Sequence, residues 1–161
     1  MLLKSYSLKS LFNEYIDKSK IPLNDISRVY LLDLLEKYGH NNINKDEDLA
    51  FIELLLQETT NIFEKLSNLK AVGDTCLIYS GLYPEYLTRR TTNLDYYFSL
   101  GQTAYIELYY NYKELRNSKS FIFKELHKSF KNMVEVLHYV KKRIISNRKS
   151  KIHGTLSITG I

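Results

Sequence analysis

The sequence predicts an all-α fold, a single-domain bundle of about six helices. Apolar residues recur at intervals of three and four along most of the chain, which is the spacing of one helix face. Glycines and prolines fall mainly between these periodic segments, where they end one helix and precede the next. A length of 161 residues with 44% hydrophobic and 25% charged residues fits one domain with a sizeable core. The only strand candidates are residues 1–6 and 155–158.

The first two helices are predicted on either side of Pro22. An apolar stripe begins at Leu8 and ends near Lys18, before the proline. Asn24 or Asp25 caps a second helix, because short polar side chains accept hydrogen bonds from the first free amides. This helix runs to Gly39, a residue type that favours the left-handed conformation at a helix end.

A long third helix is predicted from Asp46 to Gly73. Carboxylates in its first turn complement the helix dipole, and its apolar stripe continues to the glycine. Asp74 then caps a short fourth helix over residues 75–79. The break at residues 81–84, which contains a glycine and a proline, follows it.

The fifth helix starts at Thr92 or Asn93 and ends near Asn117. Gly101 and Ala104 lie on its apolar face, so a neighbouring helix can approach closely there. Tyrosines cover nearly all sides of this helix, which indicates that it is buried in the bundle or covered by a partner. We favour packing within the fold and keep oligomerisation as the alternative. The tyrosines are Tyr96, Tyr97, Tyr105, Tyr109, Tyr110 and Tyr112.

A sixth helix begins near Ser120 and carries seven apolar residues at heptad spacing. This seam fits packing inside a bundle or an intermolecular coiled coil. We favour the first because other apolar helices are available in the same chain. The seam residues are Phe123, Leu126, Phe130, Met133, Leu137, Val140 and Ile144.

The net charge of +5 is unevenly distributed. Residues 1–140 hold 17 Lys and Arg against 18 Asp and Glu, and the remaining +6 lies beyond residue 140. We therefore predict a helical domain over residues 1–146, nearly neutral up to residue 140, and a basic tail over residues 147–161. Cations at a helix C-terminus are favoured by the dipole, and nucleic-acid binding is the alternative role. The basic residues are Lys141, Lys142, Arg143, Arg148, Lys149 and Lys151.

The segment after the 81–84 break is the candidate binding site. It presents Glu85, Tyr86, Arg89 and Arg90 ahead of a helix start, where guanidinium groups and free amides favour a carboxylate or phosphate. Alternatively, the two arginines pair with Glu85, Asp74 or Asp95 and brace the fold. We favour the brace because no glycine-rich phosphate loop accompanies the arginines.

Three residues of the fifth helix complete this candidate site, namely Asp95, Tyr96 and Tyr97. We expect the arginine pair and these two tyrosines to matter more for partner binding than for folding. The contact surface would then combine guanidinium groups with aromatic rings, a composition typical of protein interfaces.

No catalytic or metal motif is present in the sequence, so we expect neither an enzyme nor a cofactor or metal site. Cys76 has no base near it in sequence, and we interpret it as a buried small apolar residue. Glu135 and His138 form half of a di-iron motif whose second copy is absent. His127 lies 11 residues before His138, about 16 Å along a helix, too far for one shared metal ion.

One run of residues resembles a motif of an uncharacterised family of small bacterial helical proteins. The resemblance covers about a fifth of the chain. It implies a bacterial origin and a self-contained fold, and it implies no activity or catalytic residue. The matching residues are Gly73, Asp74, Leu77, Gly81, Pro84, Arg89, Arg90, Asp95, Tyr96, Tyr97, Gly101, Ala104 and Tyr105.

The most consistent interpretation is a cytoplasmic, non-enzymatic helical module that binds a protein partner or forms a homodimer. No secretory signal or membrane span is predicted, and a single cysteine suits a reducing compartment. Two alternatives stay open at this point. One is nucleic-acid binding by the basic tail, and the other is a sensor for a small anion or nucleotide at the Arg89/Arg90 loop.

Overall fold

The structure is a computed structural model that describes residues 8–40, 43–90 and 93–150. Across these three ranges the chain forms seven α-helices and no strand, which confirms the all-α bundle. The two predicted strand segments lie outside the described residues. The helices are α1 (Leu8–Ser19), α2 (Asp25–His40), α3 (Lys45–Leu55), α4 (Ile62–Leu82), α5 (Pro84–Thr88), α6 (Leu94–Glu114) and α7 (Ser120–Ser150).

Helices α1 and α2 begin and end close to the predicted positions. Lys20 follows α1 in the left-handed conformation, with φ at 57°, which turns the chain out of the helix. The Asn24 side chain accepts a 2.7 Å hydrogen bond from the Ser27 amide and caps α2, as predicted.

The predicted third helix is wrong, because the structure divides it into α3 and α4. Asn61 caps α4 by accepting hydrogen bonds from the amides of Phe63 at 2.9 Å and Glu64 at 3.2 Å. The Thr59 hydroxyl donates to the Glu64 carboxylate at 3.1 Å and fixes the turn. A polar connection over residues 56–61 therefore interrupts the apolar stripe.

The predicted helix end at Gly73 and the cap at Asp74 are also wrong. Both residues lie in the middle of α4, which continues to Leu82. A Cβ atom on Gly73 would lie 2.5 Å from the Tyr105 ring, so glycine is needed there for close helix approach. The predicted break over residues 81–84 is wrong at its start, because Gly81 and Leu82 belong to α4. It is confirmed at Pro84, which begins α5 at a position where its missing N–H has no cost.

The predicted close crossing at Gly101 is confirmed. A Cβ atom there would lie 2.5 Å from the Phe130 ring of α7 and 2.9 Å from the Cys76 Cβ of α4. Asn93 caps α6 by accepting a 3.2 Å hydrogen bond from the Tyr96 amide. Helices α4, α6 and α7 therefore pack closely around this point and form the main bundle.

The heptad seam of α7 faces the inside of the bundle. All seven seam residues are buried, so the predicted packing within the chain is confirmed. α7 packs on α1, α2, α4 and α6. The helix continues through residues 147–150, the first part of the predicted tail, and residues 151–161 lie outside the described residues.

A buried carboxylate joins three of the helices. Asp74 of α4 is 4% exposed and accepts hydrogen bonds from the hydroxyls of Tyr30 on α2 at 2.5 Å and Tyr105 on α6 at 2.8 Å. The Lys70 ammonium donates to its second oxygen at 2.8 Å. Burial and the nearby carboxylate raise the pKa of both tyrosines, so both hydroxyls stay protonated as donors.

We predict that removing the Tyr105 hydroxyl costs more stability than removing the hydroxyl of Tyr83. Tyr105→Phe deletes a donor to a buried charge and should lower the free energy of unfolding by about 2 kcal/mol. The Tyr83 hydroxyl is buried without a hydrogen-bond partner among the described residues, so Tyr83→Phe should leave stability unchanged or raise it by about 1 kcal/mol. Urea unfolding of both variants measures the difference, and equal losses would contradict the prediction.

We also predict that the fold weakens above about pH 10. Burial raises the pKa of Tyr38 and of Tyr83 to about 12. Tyrosines of the unfolded chain ionise near pH 10, so above that pH the folded state holds protons that the unfolded state has released. The stability present below about pH 10 should then fall by up to about 1.4 kcal/mol per pH unit for each such tyrosine. Urea unfolding at about pH 8 and about pH 11 tests this, and equal stabilities would refute it.

Candidate functional site

The predicted arginine pair splits into two different environments. The Arg90 guanidinium lies 3.6 Å from the Asp46 carboxylate of α3 and donates a 3.2 Å hydrogen bond to the Tyr86 hydroxyl. Tyr86 in turn donates to Asp46. Arg90 therefore braces α5 against α3, with a partner that was not among the three predicted carboxylates. Arg89 forms neither an ion pair nor a hydrogen bond with any residue that the structure describes.

The other predicted site residues do not share one surface with the arginines. Glu85 lies 3.8 Å from the Lys141 ammonium of α7. Asp95 is exposed in the first turn of α6, and the Tyr96 ring lies half-buried against Tyr97. Tyr97 is 3% exposed and belongs to the core, so its side chain is not accessible to a partner.

Residues from three elements enclose a small basic cleft at this end of the bundle. Lys45 comes from the start of α3, Arg89 ends α5, and Lys141 projects from α7. The cleft has a volume of about 170 Å³. Its remaining lining residues are Tyr83, Glu85 and Tyr86.

Two of the basic residues beyond position 140 are held within the fold. The Lys141 ammonium donates to the Leu82 carbonyl and so satisfies a free acceptor at the C-terminus of α4. The Arg143 guanidinium lies 5.7 Å from the centre of the Tyr15 ring, within range of a cation–π contact. Lys142 and Lys149 are exposed on α7. Lys151 lies outside the described residues.

A second surface, which sequence analysis did not single out, lies on α3 and the start of α4. Phe51 is 55% exposed and Leu54 is 61% exposed, and they lie three residues apart on the outward face of α3. Leu56 follows on the connection, and Phe63 in the first turn of α4 is 78% exposed. We call these four residues the apolar elbow.

The apolar elbow is exposed because α3 is a peripheral helix. Its inward residues Leu49 and Ile52 are buried, and among the described helices α3 packs chiefly on α4. No helix in the described part of the chain covers the outward residues. The sequence signal was present, since α3 is apolar on two faces, but the predicted long helix considered a single apolar stripe that left out Phe51 and Leu54.

A groove of about 630 Å³ adjoins the apolar elbow. The connection between α3 and α4 forms one wall, and α4 and α6 form the other. The lining residues are residues 55–60 together with Lys65, Asn68, Leu69 and Glu107. The groove is therefore apolar at its leucines and acidic at its edges.

Acidic side chains surround this second surface. Glu47, Glu53, Glu58 and Glu64 are exposed on α3, the connection and the first turn of α4. Lys65 adds an exposed cation. The apolar elbow is thus bordered by negative charge, although the whole chain has a net charge of +5.

Comparisons with known proteins gave no match to a family model, to a curated protein or to a solved structure. Within the described ranges, none of the helices has the length and apolar character to cross a membrane. The same residues contain no cluster of three or more potential metal ligands.

Among the described side chains, Cys76 is buried, and His127 and His138 are half-buried and hydrogen-bonded to backbone carbonyls. The ring nitrogens of His127 and His138 donate hydrogen bonds to the carbonyls of Gln102, at 2.9 Å, and Ser80, at 3.1 Å. Cys76 is fully buried, as predicted. It lies in the middle of α4, whereas the predicted helix over residues 75–79 would have placed it in a first turn. Burial raises the pKa of its thiol.

We predict that Cys76 is inert in the folded protein. A buried protonated thiol is neither accessible nor nucleophilic, so modification by an aromatic disulfide reagent should require unfolding. The native rate should be lower than the rate in concentrated urea by at least about 100-fold. Similar rates in the two conditions would show that the thiol is accessible in the folded state.

Proposed function

We propose that this protein is a non-enzymatic helical interaction module that binds a protein partner through the apolar elbow and its groove. The observation that carries the proposal is the exposure of three large apolar side chains, those of Phe51, Leu54 and Phe63, at one end of α3. Exposed apolar groups gathered beside a groove are typical of protein-binding surfaces.

The apolar elbow can supply part of the free energy needed for binding. Full burial of a leucine or phenylalanine side chain contributes about 1.5–3 kcal/mol. Burial of the exposed parts of the apolar elbow therefore contributes several kcal/mol toward the cost of association. The groove adds a concave region into which a partner side chain can insert.

The charges around the apolar elbow favour one kind of partner. A partner helix with an apolar face bordered by lysine or arginine places its charges opposite Glu47, Glu53 and Glu58. A symmetric contact between two copies brings the same patch to both sides of the interface, so the carboxylates repel one another. A basic amphipathic helix of another protein is thus the favoured occupant.

The positions of the other candidate side chains give less support to the alternative functions that the sequence left open. The heptad seam is buried within the chain, and so are Tyr97 and Tyr105 of α6, so these surfaces are occupied inside the monomer. For nucleic-acid binding, the Arg143 guanidinium contacts the Tyr15 ring within the fold. The buried position of Cys76 argues against its use as a nucleophile and so favours the non-enzymatic interpretation. Cytoplasmic location and bacterial origin stay predictions.

We predict that the protein binds a synthetic helical peptide built from leucine and lysine heptads. Phe51→Ser combined with Leu54→Ser should weaken this binding by at least about tenfold, because the substitutions remove apolar contact area. Phe121→Ser is the matched control, since Phe121 is 54% exposed on α7, away from the apolar elbow. Fluorescence anisotropy of the labelled peptide measures the dissociation constants.

The same experiment contains the outcomes that overturn the proposal. Equal binding of a scrambled lysine peptide would show that bulk charge is responsible. Equal binding of a leucine and glutamate peptide would contradict the role of the acidic border. Unchanged affinity in the double variant would exclude the apolar elbow, and the melting temperature of each variant confirms that it is folded.

A further inference from the structure

We infer that the basic cleft binds the phosphoryl group of a small molecule. This site goes beyond the proposed function, because none of its lining residues belongs to the apolar elbow or to the groove. The inference depends on the convergence of Lys45, Arg89 and Lys141, which no feature of the sequence brings together.

Two ammonium groups lie against the same buried ring. The Lys45 Nζ atom is 4.6 Å from the centre of the Tyr83 ring, and the Lys141 Nζ atom is 5.1 Å from it. With Arg89, three cations surround the cleft and Glu85 supplies one carboxylate. Like charges that line the same small cleft repel one another, so an anion bound in the cleft offsets this repulsion and lowers the free energy of the folded state.

The nearby carboxylates compensate this charge only in part, because Glu85 is the only carboxylate among the described residues that line the cleft, and Asp48 accepts from the Tyr79 hydroxyl. Asp46 follows Lys45 in the chain, but it accepts from the Tyr86 hydroxyl and pairs with Arg90. Glu85 is largely exposed and lies 3.8 Å from Lys141, a loose contact. The Arg89 guanidinium therefore keeps its planar set of donors available within the described part of the chain, and this geometry suits two phosphate oxygens.

The size of the cleft limits the ligand. A volume of about 170 Å³ is below the range of pockets that enclose a complete drug-sized ligand, about 300–1,000 Å³. A phosphoryl group fits inside, and the rest of the molecule must extend into solvent. Side chains from α3, α5 and α7 hold it, with no contribution from free helix amides. The Asn93 side chain already caps α6 by accepting from the Tyr96 amide. We therefore place the anion site in the cleft and not at the start of α6, where the sequence analysis had placed it.

The test titrates the full chain with inorganic phosphate in chloride buffer at constant ionic strength, followed by calorimetry. Phosphate should bind at one site per chain and raise the melting temperature with concentration. Arg89→Ala should weaken binding by at least about tenfold, because it removes the available guanidinium. Lys142→Ala is the control, since Lys142 is exposed on α7 and does not line the cleft.

Several results would overturn the inference. One is unchanged phosphate affinity in the Arg89→Ala protein, and another is an equal loss of phosphate affinity in the Lys142→Ala protein. Displacement of the bound phosphate by acetate, or failure of a sugar monophosphate to displace the phosphate, would also overturn it. The Phe51→Ser, Leu54→Ser protein should bind phosphate as the wild type does. The Arg89→Ala protein should keep its affinity for the leucine and lysine peptide, so the two proposals fail independently.

Discussion

The buried carboxylate of Asp74 is the interaction on which the arrangement of the helices depends. An ionised carboxylate removed from water is strongly destabilising unless donors surround it. Here the donors come from α2, α4 and α6, so the three helices must adopt one relative position to supply them. The preceding Gly73 lets the Tyr105 ring lie close enough to reach the same residue. One glycine and one aspartate thus fix the orientation of α4, the central helix.

This packed centre determines what is left at the periphery. Helices α4, α6 and α7 bury their apolar faces against one another, whereas α3 packs chiefly on α4. α3 begins at Lys45 in the basic cleft and ends at Leu55 beside the groove. The two proposed surfaces therefore lie at opposite ends of the same short helix. Because α3 makes few core contacts, its side chains can serve binding at little cost to the fold.

Sequence periodicity predicted the parts of the fold that depend on local pattern. The α7 seam and the close approach at Gly101 followed from residue spacing. Gly73 and Asp74 were misassigned because the same residue types end helices and allow close crossings, and only the tertiary neighbours distinguish the two uses. Of the residues that line the proposed cleft, Glu85, Tyr86 and Arg89 were among the predicted binding residues, whereas Lys45 and Lys141 were not grouped with them, since 96 positions separate these two lysines in the chain.

The distribution of charge matters more for recognition than its sum. A net charge of +5 suggests attraction for any anion, yet carboxylates border the apolar elbow, and the three cations line a cleft at the other end of α3, where Asp46, Glu47 and Asp48 also lie. Surface charges act over about 8–10 Å at physiological ionic strength, so each end of α3 is governed by its own neighbours. A partner with a basic border and a ligand with a phosphoryl group are then drawn to different ends of one helix. Such local complementarity gives specificity that a uniformly basic surface does not provide.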